Sequence, residues 1–545
     1  MQKNGKLELT WVGKYEEKAI EPRILVEDKN LSYGDPDSEN MLIHGDNLIA
    51  LQALQQDYAG KIKCIYIDPP FNTGARINAD GLEVGYEDGL EHSIWLSMMR
   101  ARLVLLHNLL TIDGIMVVHL DDRECAYCKV LLDEIFGRDN YINTITMTTN
   151  EPSGFKATGS KIFSTSNMML VYAKEKNKAQ INKVYIKKEY DTAYSKILLN
   201  PDDNYSDWKY TSIKNYVCRE KGYESYSAAT KVVGKATIDV WVEKYALSNP
   251  KIVFRTAAIS GGAKTKRIKT IEKSKINKET VFVHQNEDVE GFYILNGEQI
   301  LFYDKRFKEI DGENVPSQTI TDVWTDISWT GIANEGNVVF KNSKKPEHLI
   351  KRVLDLFSNT GDIVLDSFLG SGTTAAVAHK MGRKYIGIEM GNHAYTHCKT
   401  RLDDVVDGEQ SGISKALNWK GGGGYHFYEL APSLLVKNDK LPIYQVNPEY
   451  TFEMLCEAIC KIEGFRYKPD GTFHGYSSEK RFIHITKEYI NSEYIVSIAA
   501  NLGEDQSLLL YGTKIQSGMR LPDNIEVKKI PKDLLEKCEF ESEVR

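Results

Sequence analysis

The chain has 545 residues and a formal net charge of −7. It is too long for a single core and long enough for three or so domains. No apolar run approaches the roughly eighteen residues of a membrane span. Met1–Lys6 lacks the apolar stretch of a signal peptide, and eight Cys without framework spacing fit a reducing cytoplasm, so a cytoplasmic location is expected.

Residues 1–40 are polar and read as an N-terminal arm on the surface. Residues 41–174 alternate strand and helix. Asp46 precedes the helix expected from Leu48 to Leu54, where it can serve as an N-cap or reach a ligand. Ile62–Ile67 reads as a buried parallel strand. Asp68-Pro69-Pro70-Phe71 follows it at once. Two prolines end the strand and stiffen the turn, which holds a carboxylate and an aromatic ring at the carboxyl edge of the sheet. Open α/β folds bind ligands at that edge. An amphipathic helix is expected over Ile94–Leu110, a strand over Ile115–Leu120, a helix over Asp122–Phe136 closed by Gly137, and a further strand over Met168–Tyr172. His119, Asp121 and Asp122 resemble a metal cluster in isolation, yet fit a strand end followed by a helix N-cap. Cys125-x-x-Cys128 and the pair Cys456 and Cys460 lack a second pair at zinc spacing, so no metal site is expected.

Residues 175–325 lose this rhythm. Between 151 and 280 there are 25 Lys and Arg against 13 Asp and Glu, a net of +12, which leaves −19 on the remainder. A basic segment on an acidic body is the footprint of a polyanion binder. Lys264, Lys266, Arg267 and Lys269 are its densest cluster, with Arg219, Lys221, Lys231 and Lys235 more dispersed. Tyr205, Trp208, Tyr210, Tyr216, Tyr223 and Tyr226 interleave with polar residues and can pack against sugars or bases, or within a core.

Residues 326–424 return to the α/β pattern. The short strand Ile363–Leu365 runs into Asp366-Ser367-Phe368-Leu369-Gly370-Ser371-Gly372-Thr373-Thr374 and then into a small-residue helix over Ala375–His379. Strand, glycine turn and helix let a backbone approach a cofactor closely. The loop lacks the Lys of a phosphate-binding loop and the full spacing of a dinucleotide fingerprint, so an adenosine without phosphates fits best. Lys384–Ile388 reads as the next strand and ends in Glu389, placed to accept from ribose hydroxyls. After Gly421–Gly424, residues 425–545 are expected to form a small α+β domain.

The two motifs together resemble the S-adenosylmethionine-dependent amino-methyltransferases of DNA. With the carboxylate motif first and the glycine loop about three hundred residues later, the order is that of their beta group. The resemblance sharpens to the modification (Mod) subunits of type III restriction–modification systems. It is carried by Asn40–Leu48, by Asp68–Gly74, by Gly114–Asp122 and by Lys344–Ile350, and late in the chain by Gly408–Ile413 and Asn418–Gly424. It covers most of residues 7–430 and is weakest in the middle. The family usually has Pro or Phe where this chain has Ser367, and often Ala where it has Leu369.

The resemblance implies a doubly wound, Rossmann-like α/β sheet built from residues 41–174 and 326–424. A target-recognition domain (175–325) is inserted between the halves, and the C-terminal domain follows. It implies methyl transfer from S-adenosylmethionine to the N6 amino group of a flipped-out adenine in duplex DNA. Asp68, Pro69, Pro70 and Phe71 are the expected catalytic residues. Asp46, Lys345, Asp366, Phe368, Gly370, Ser371, Gly372, Thr373 and Glu389 are expected at the cofactor, with Lys345 on the methionine carboxylate. Lys264, Lys266, Arg267, Lys269 and Arg219 are expected at DNA. A homodimer joined to an ATP-dependent restriction subunit is implied as well. A stand-alone enzyme, a cytosine-N4 enzyme, a catalytically silent recognition subunit and an RNA methyltransferase remain open alternatives.

Overall fold

The computed structural model describes all residues except 1–7, 16–19, 73–90, 150–163, 285–291, 311, 341–343, 439 and 541–545. Thr73 and Gly74 of the catalytic-loop resemblance therefore lie outside the described residues. The chain divides into two compact units, Met1–Asn182 with Thr321–Arg545, and Lys183–Ile320.

The first unit is organised by an 11-stranded sheet. Its spatial order is Leu25–Glu27, Gly424–Leu430, Met41–His44, Lys384–Glu389, Ile363–Asp366, Ile62–Ile67, Leu110–Leu120, Ser166–Ala173, Tyr141–Thr148 and Val323–Trp324, with Tyr33–Gly34 paired to Gly424–Leu430 off this path. The run from Gly424–Leu430 to Leu110–Leu120 is parallel throughout. These strands are buried on both faces, hence their near-continuous apolar sequence. Ile65, Ile67, Met116, Val118, Leu365 and Ile386 pack under the helices Asn47–Tyr58, His92–Leu109 and Cys125–Phe136. On the opposite face Tyr385 meets His379 of the helix Thr373–Lys380.

Chain direction decides where a ligand can sit. From Ile62–Ile67 the chain winds outwards to Leu110–Leu120, and from Ile363–Asp366 it winds the other way to Lys384–Glu389. The two inner strands are parallel neighbours, with Leu365 opposite Ile65. Their carboxyl ends thus flank the crevice at which the strand order reverses.

Several sequence-based boundaries shift. The arm 1–40 does not simply lie on the surface: Leu25–Glu27 pairs antiparallel with Gly424–Leu430 and Ile24 is buried. The sheet also continues past the boundary expected at residue 424, because the glycines lead into the strand Gly424–Leu430 beside Met41–His44. The helix expected from Asp122 begins at Cys125, since the Asp121 carboxylate first accepts from the Arg123 amide in a turn. Residues beyond 430 build a five-stranded sheet with its own core around Leu455, Ile459, Ile483, Leu509 and Tyr511, within the first compact unit.

Among its described residues the second unit holds a six-stranded sheet, a three-stranded sheet and four α-helices, Ile213–Glu220, Tyr226–Val233, Lys235–Ser248 and Gly261–Ile276. It spans 183–320 rather than 175–325, because Val323–Trp324 pairs with Tyr141–Thr148 in the first unit. Most of its interleaved aromatics pack inwards. Tyr216, Tyr223 and Tyr226 lie against the cluster of Ile213, Val217 and Val242, and Trp208 and Tyr210 lie against that of Phe254 and Ile300.

Candidate active site at the switch of strand order

The residues expected from sequence at the catalytic loop and the cofactor loop converge at this crevice. Asp68 leaves the end of its strand and its Oδ2 contacts Lys345 Nζ, 277 residues away in the chain. Asp68 Oδ1 is buried with no hydrogen-bond partner among the described residues. Burial raises the Asp68 carboxyl above its ordinary range, and the Lys345 ammonium draws it part of the way back. The loop beyond it is fixed from behind. Trp95 Nε1 donates to the Pro70 carbonyl at 2.8 Å. Phe71 lies 5.9 Å from the His119 ring and 5.3 Å from Lys345 Nζ. Asn72 adopts a left-handed conformation (φ 58°) and donates to Glu124 at 2.8 Å.

Asp366 ends the neighbouring strand and organises the glycine turn. Its Oδ1 accepts from the Phe368 amide at 2.9 Å and its Oδ2 from the Thr374 hydroxyl at 2.6 Å. Burial pushes its carboxyl up to about 7, and the charges of Asp68 and Glu389 act in the same direction. Gly370 sits at φ 57°, and a Cβ there would enter open space; at Gly372 (φ 81°) it would meet Cys398 Cα at 3.2 Å. The first glycine leaves room in front of the loop, and the second seats the loop on the structure behind it. Glu389 accepts from the amides of Gly370 at 2.7 Å and Gly391 at 2.9 Å. Burial raises its carboxyl too.

Other expected residues stand slightly back. Asp46 caps the helix Asn47–Tyr58, accepting from the amides of Leu48 and Ile49 at 2.8 and 3.2 Å, and pairs with Arg102 at 3.3 Å. Phe368 is buried in the core of the sheet. The Thr373 hydroxyl accepts from Arg401 at 2.7 Å, and the Ser371 carbonyl from the same guanidinium at 3.4 Å. His119 is held between the Tyr66 hydroxyl at 2.7 Å and Asn167 at 3.1 Å, so both ring nitrogens are engaged.

Sequence reasoning missed the supports. Asn47 Nδ2 donates to the Ser367 carbonyl at 2.6 Å and its Oδ1 accepts from Arg102 at 2.5 Å. Glu347, two residues after Lys345, is fully buried between Lys380 at 2.8 Å and Arg401 at 2.7 Å.

The expected DNA contacts lie in the second unit. Lys264, Lys266 and Lys269 are exposed along the helix Gly261–Ile276, and Arg219 is exposed near the end of Ile213–Glu220. Arg267 departs from the expectation. It is 7% exposed, and its guanidinium lies 3.8 Å over the Phe292 ring.

Among the described residues no helix is long and apolar enough to cross a membrane. Residues 62–400 match the family model described as DNA methylase. The chain is 37% identical, over 79% of its length, to the Haemophilus influenzae protein named "Probable type III restriction-modification enzyme HindVI Mod subunit". It is 27% identical, over 65% of its length, to the type III restriction-modification enzyme StyLTI Mod subunit of Salmonella typhimurium. It spans 59% and 51% of these two relatives. The solved M1.HpyAVI–SAM complex aligns over 67% of this chain and 99% of its own, at 13% identity and a TM-score of 0.31. The family model covers more than half of the chain, from the strand before Asp68 to beyond Glu389, and the chain belongs to the DNA methylase family.

Proposed function

We propose that this chain is the modification subunit of a type III restriction–modification system, which methylates N6 of an adenine flipped out of duplex DNA with S-adenosylmethionine as donor. The observation that carries the reading is the placement of Asp68. Its Oδ1 is a buried acceptor without a partner among the described residues, at a sheet edge it shares with the glycine loop.

The residues present fit the donor. Asp68, Asp366 and Glu389 are three carboxylates in one buried site, all raised by burial, and a cation entering among them would be stabilised. The Glu389 carboxylate accepts from the amides of Gly370 and Gly391 and is an acceptor that a ribose hydroxyl can also use. Lys345 offers an ammonium to a carboxylate. When bound, S-adenosylmethionine supplies an electrophilic methyl group on a sulfonium.

Asp68 and the Pro69 carbonyl do the protein's part. An exocyclic amino group delocalises its lone pair into the ring and is a poor nucleophile. Accepting both of its hydrogens localises that lone pair, and the acceptors gain strength as positive charge grows on nitrogen. A carboxylate with a raised pKa is also a better acceptor for the proton that the methylated nitrogen sheds. Phe71 provides a face for the base, and Trp95 and His119 hold the loop that presents it. Extruding the base costs a few kcal/mol of stacking and pairing.

The unit 183–320 is our candidate for target recognition, with Lys264, Lys266, Lys269 and Arg219 on phosphates. Self-association and pairing with an ATP-dependent restriction subunit complete the reading, and the 1–40 arm and the region beyond 430 are candidate contact surfaces. The test is transfer of labelled methyl to a broad set of duplexes, followed by digestion to nucleosides. N6-methyladenine is expected, with none from Asp68→Ala; absence of label on every duplex overturns the reading, and N4-methylcytosine corrects the base.

A further inference from the structure

We propose that Lys345 is shared between the reacting carboxylate and the donor, so that Asp68 and the donor's methionine carboxylate compete for one ammonium group. The inference rests on the proposed function and concerns how its two ligands communicate. The Lys345 and Asp68 side chains meet in a largely buried site, 11% and 18% exposed. Among the described residues no other cation pairs with Asp68. The neighbouring charges are committed elsewhere. Lys344 is buried against the backbone carbonyls of Ala333 at 3.2 Å, Val338 at 2.6 Å and Glu335. Glu347 is enclosed by Lys380 and Arg401. Adjacent lysines thus have different duties: Lys344 ties down its own segment, and Lys345 reaches the crevice.

A second carboxylate at Lys345 must either displace Asp68 or sit beside its negative charge. Both weaken binding, so the coupling has one sign. Neutralising Asp68 strengthens the hold of Lys345 on the donor's methionine carboxylate, an effect separate from the attraction of Asp68 for the sulfonium. By reciprocity, a bound donor weakens the grip of Lys345 on Asp68 and leaves that carboxylate to the incoming amino group. Target capture is then favoured after donor binding, with Lys345 acting as a positioning residue.

Calorimetric titration of the 545-residue chain tests this without knowing the recognition sequence. Two ligands are compared: S-adenosylhomocysteine, which carries the amino-acid end, and 5′-methylthioadenosine, which lacks it. Asp68→Asn is expected to tighten S-adenosylhomocysteine roughly tenfold, within the range usual for coupled sites. It should leave 5′-methylthioadenosine unchanged. The gain should vanish in a Lys345→Met background and persist with Lys345→Arg. If Asp68→Asn does not fold, Asp68→Ser makes the same comparison. Wild-type binding with no gain in the variant, or an equal gain for both ligands, overturns the shared cation and leaves the methyltransferase reading standing. No binding of either ligand to wild type overturns both.

Discussion

Asn47 donates to the Ser367 carbonyl at 2.6 Å and thereby joins the helix Asn47–Tyr58 to the glycine loop, 320 residues away in the chain. Its other amide atom accepts from Arg102, which also pairs with Asp46. Asn47→Leu keeps a similar volume but strips a partner from a buried guanidinium and a carbonyl. Each group so orphaned costs about 1–3 kcal/mol. The expected outcome is a lower urea midpoint with an unchanged m-value. Weaker binding of S-adenosylhomocysteine should accompany it, because Ser367 opens the loop. Equal affinity in the variant would mean that the loop is held without this bridge.

Asp366 carries a pH dependence whose sign follows from burial. An unfolded Asp titrates near 3.9, and here burial lifts the folded carboxyl to about 7. Between those values the folded chain holds a proton that the unfolded chain has lost. The contribution of Asp366 to stability is therefore full at low pH and is lost as pH rises through about 7. Asp366→Asn has no such proton. The stability difference, wild type minus variant, should fall between pH 4.5 and 7 by up to about 1.4 kcal/mol per pH unit and level off above. Urea titrations at pH 5, 6, 7 and 8 measure it, and a flat difference would sink the assignment.

The central strands were legible because burial on both faces leaves an apolar run with no alternation to confuse, as in Ile62–Ile67. Asp68 and Asp366 were legible because proline and glycine punctuate the chain where a strand must end. The edge was not. Leu25–Glu27 has three residues, too few for any period, and Gly424–Leu430 hides behind the glycines that lead into it. Lys344 and Lys345 are the same residue type side by side, and only the folded backbone sends one to carbonyls and the other to Asp68. Arg267 reads in the sequence as one more surface charge, and the fold buries it. Its spacing to Ile271 and Ser274, the other buried residues of that helix, follows the 3.6-residue turn and could have revealed an inward face.

That distinction separates two kinds of cation in the helix Gly261–Ile276. Replacing Lys264, Lys266 and Lys269 together by Ala should weaken binding to any duplex. It should also reduce the slope of log K against log salt by about 0.9 for each phosphate that is no longer neutralised. Arg267→Ala should leave the slope unchanged and instead destabilise the unit 183–320 by about 2 kcal/mol, the scale of a desolvated cation on a ring. Fluorescence anisotropy over a salt series and thermal denaturation read the two effects separately. A steep loss of slope in Arg267→Ala would place that guanidinium on DNA after all.

On the proposed reading, Glu347 carries an expectation for both stability and donor binding. Its carboxylate is completely buried, as are the Lys380 and Arg401 side chains that flank it. Burial alone would raise its carboxyl, but Arg401 and Lys380 hold it below the ordinary range. Glu347→Gln leaves two buried cations facing a neutral amide, and breaking such a pair from one side costs about 3–5 kcal/mol. Lys380 keeps a second carboxylate in Glu409, so the imbalance falls mainly on Arg401. That guanidinium donates to Thr373 and to the Ser371 carbonyl. The variant should therefore lose affinity for both S-adenosylhomocysteine and 5′-methylthioadenosine, since the whole loop loosens, whereas Lys345→Met should lose affinity only for the first. A Glu347→Gln protein with wild-type stability would show that Arg401 finds another anion. One that loses stability but keeps both affinities would show that the loop is set by Asp366 and the glycines without help from below.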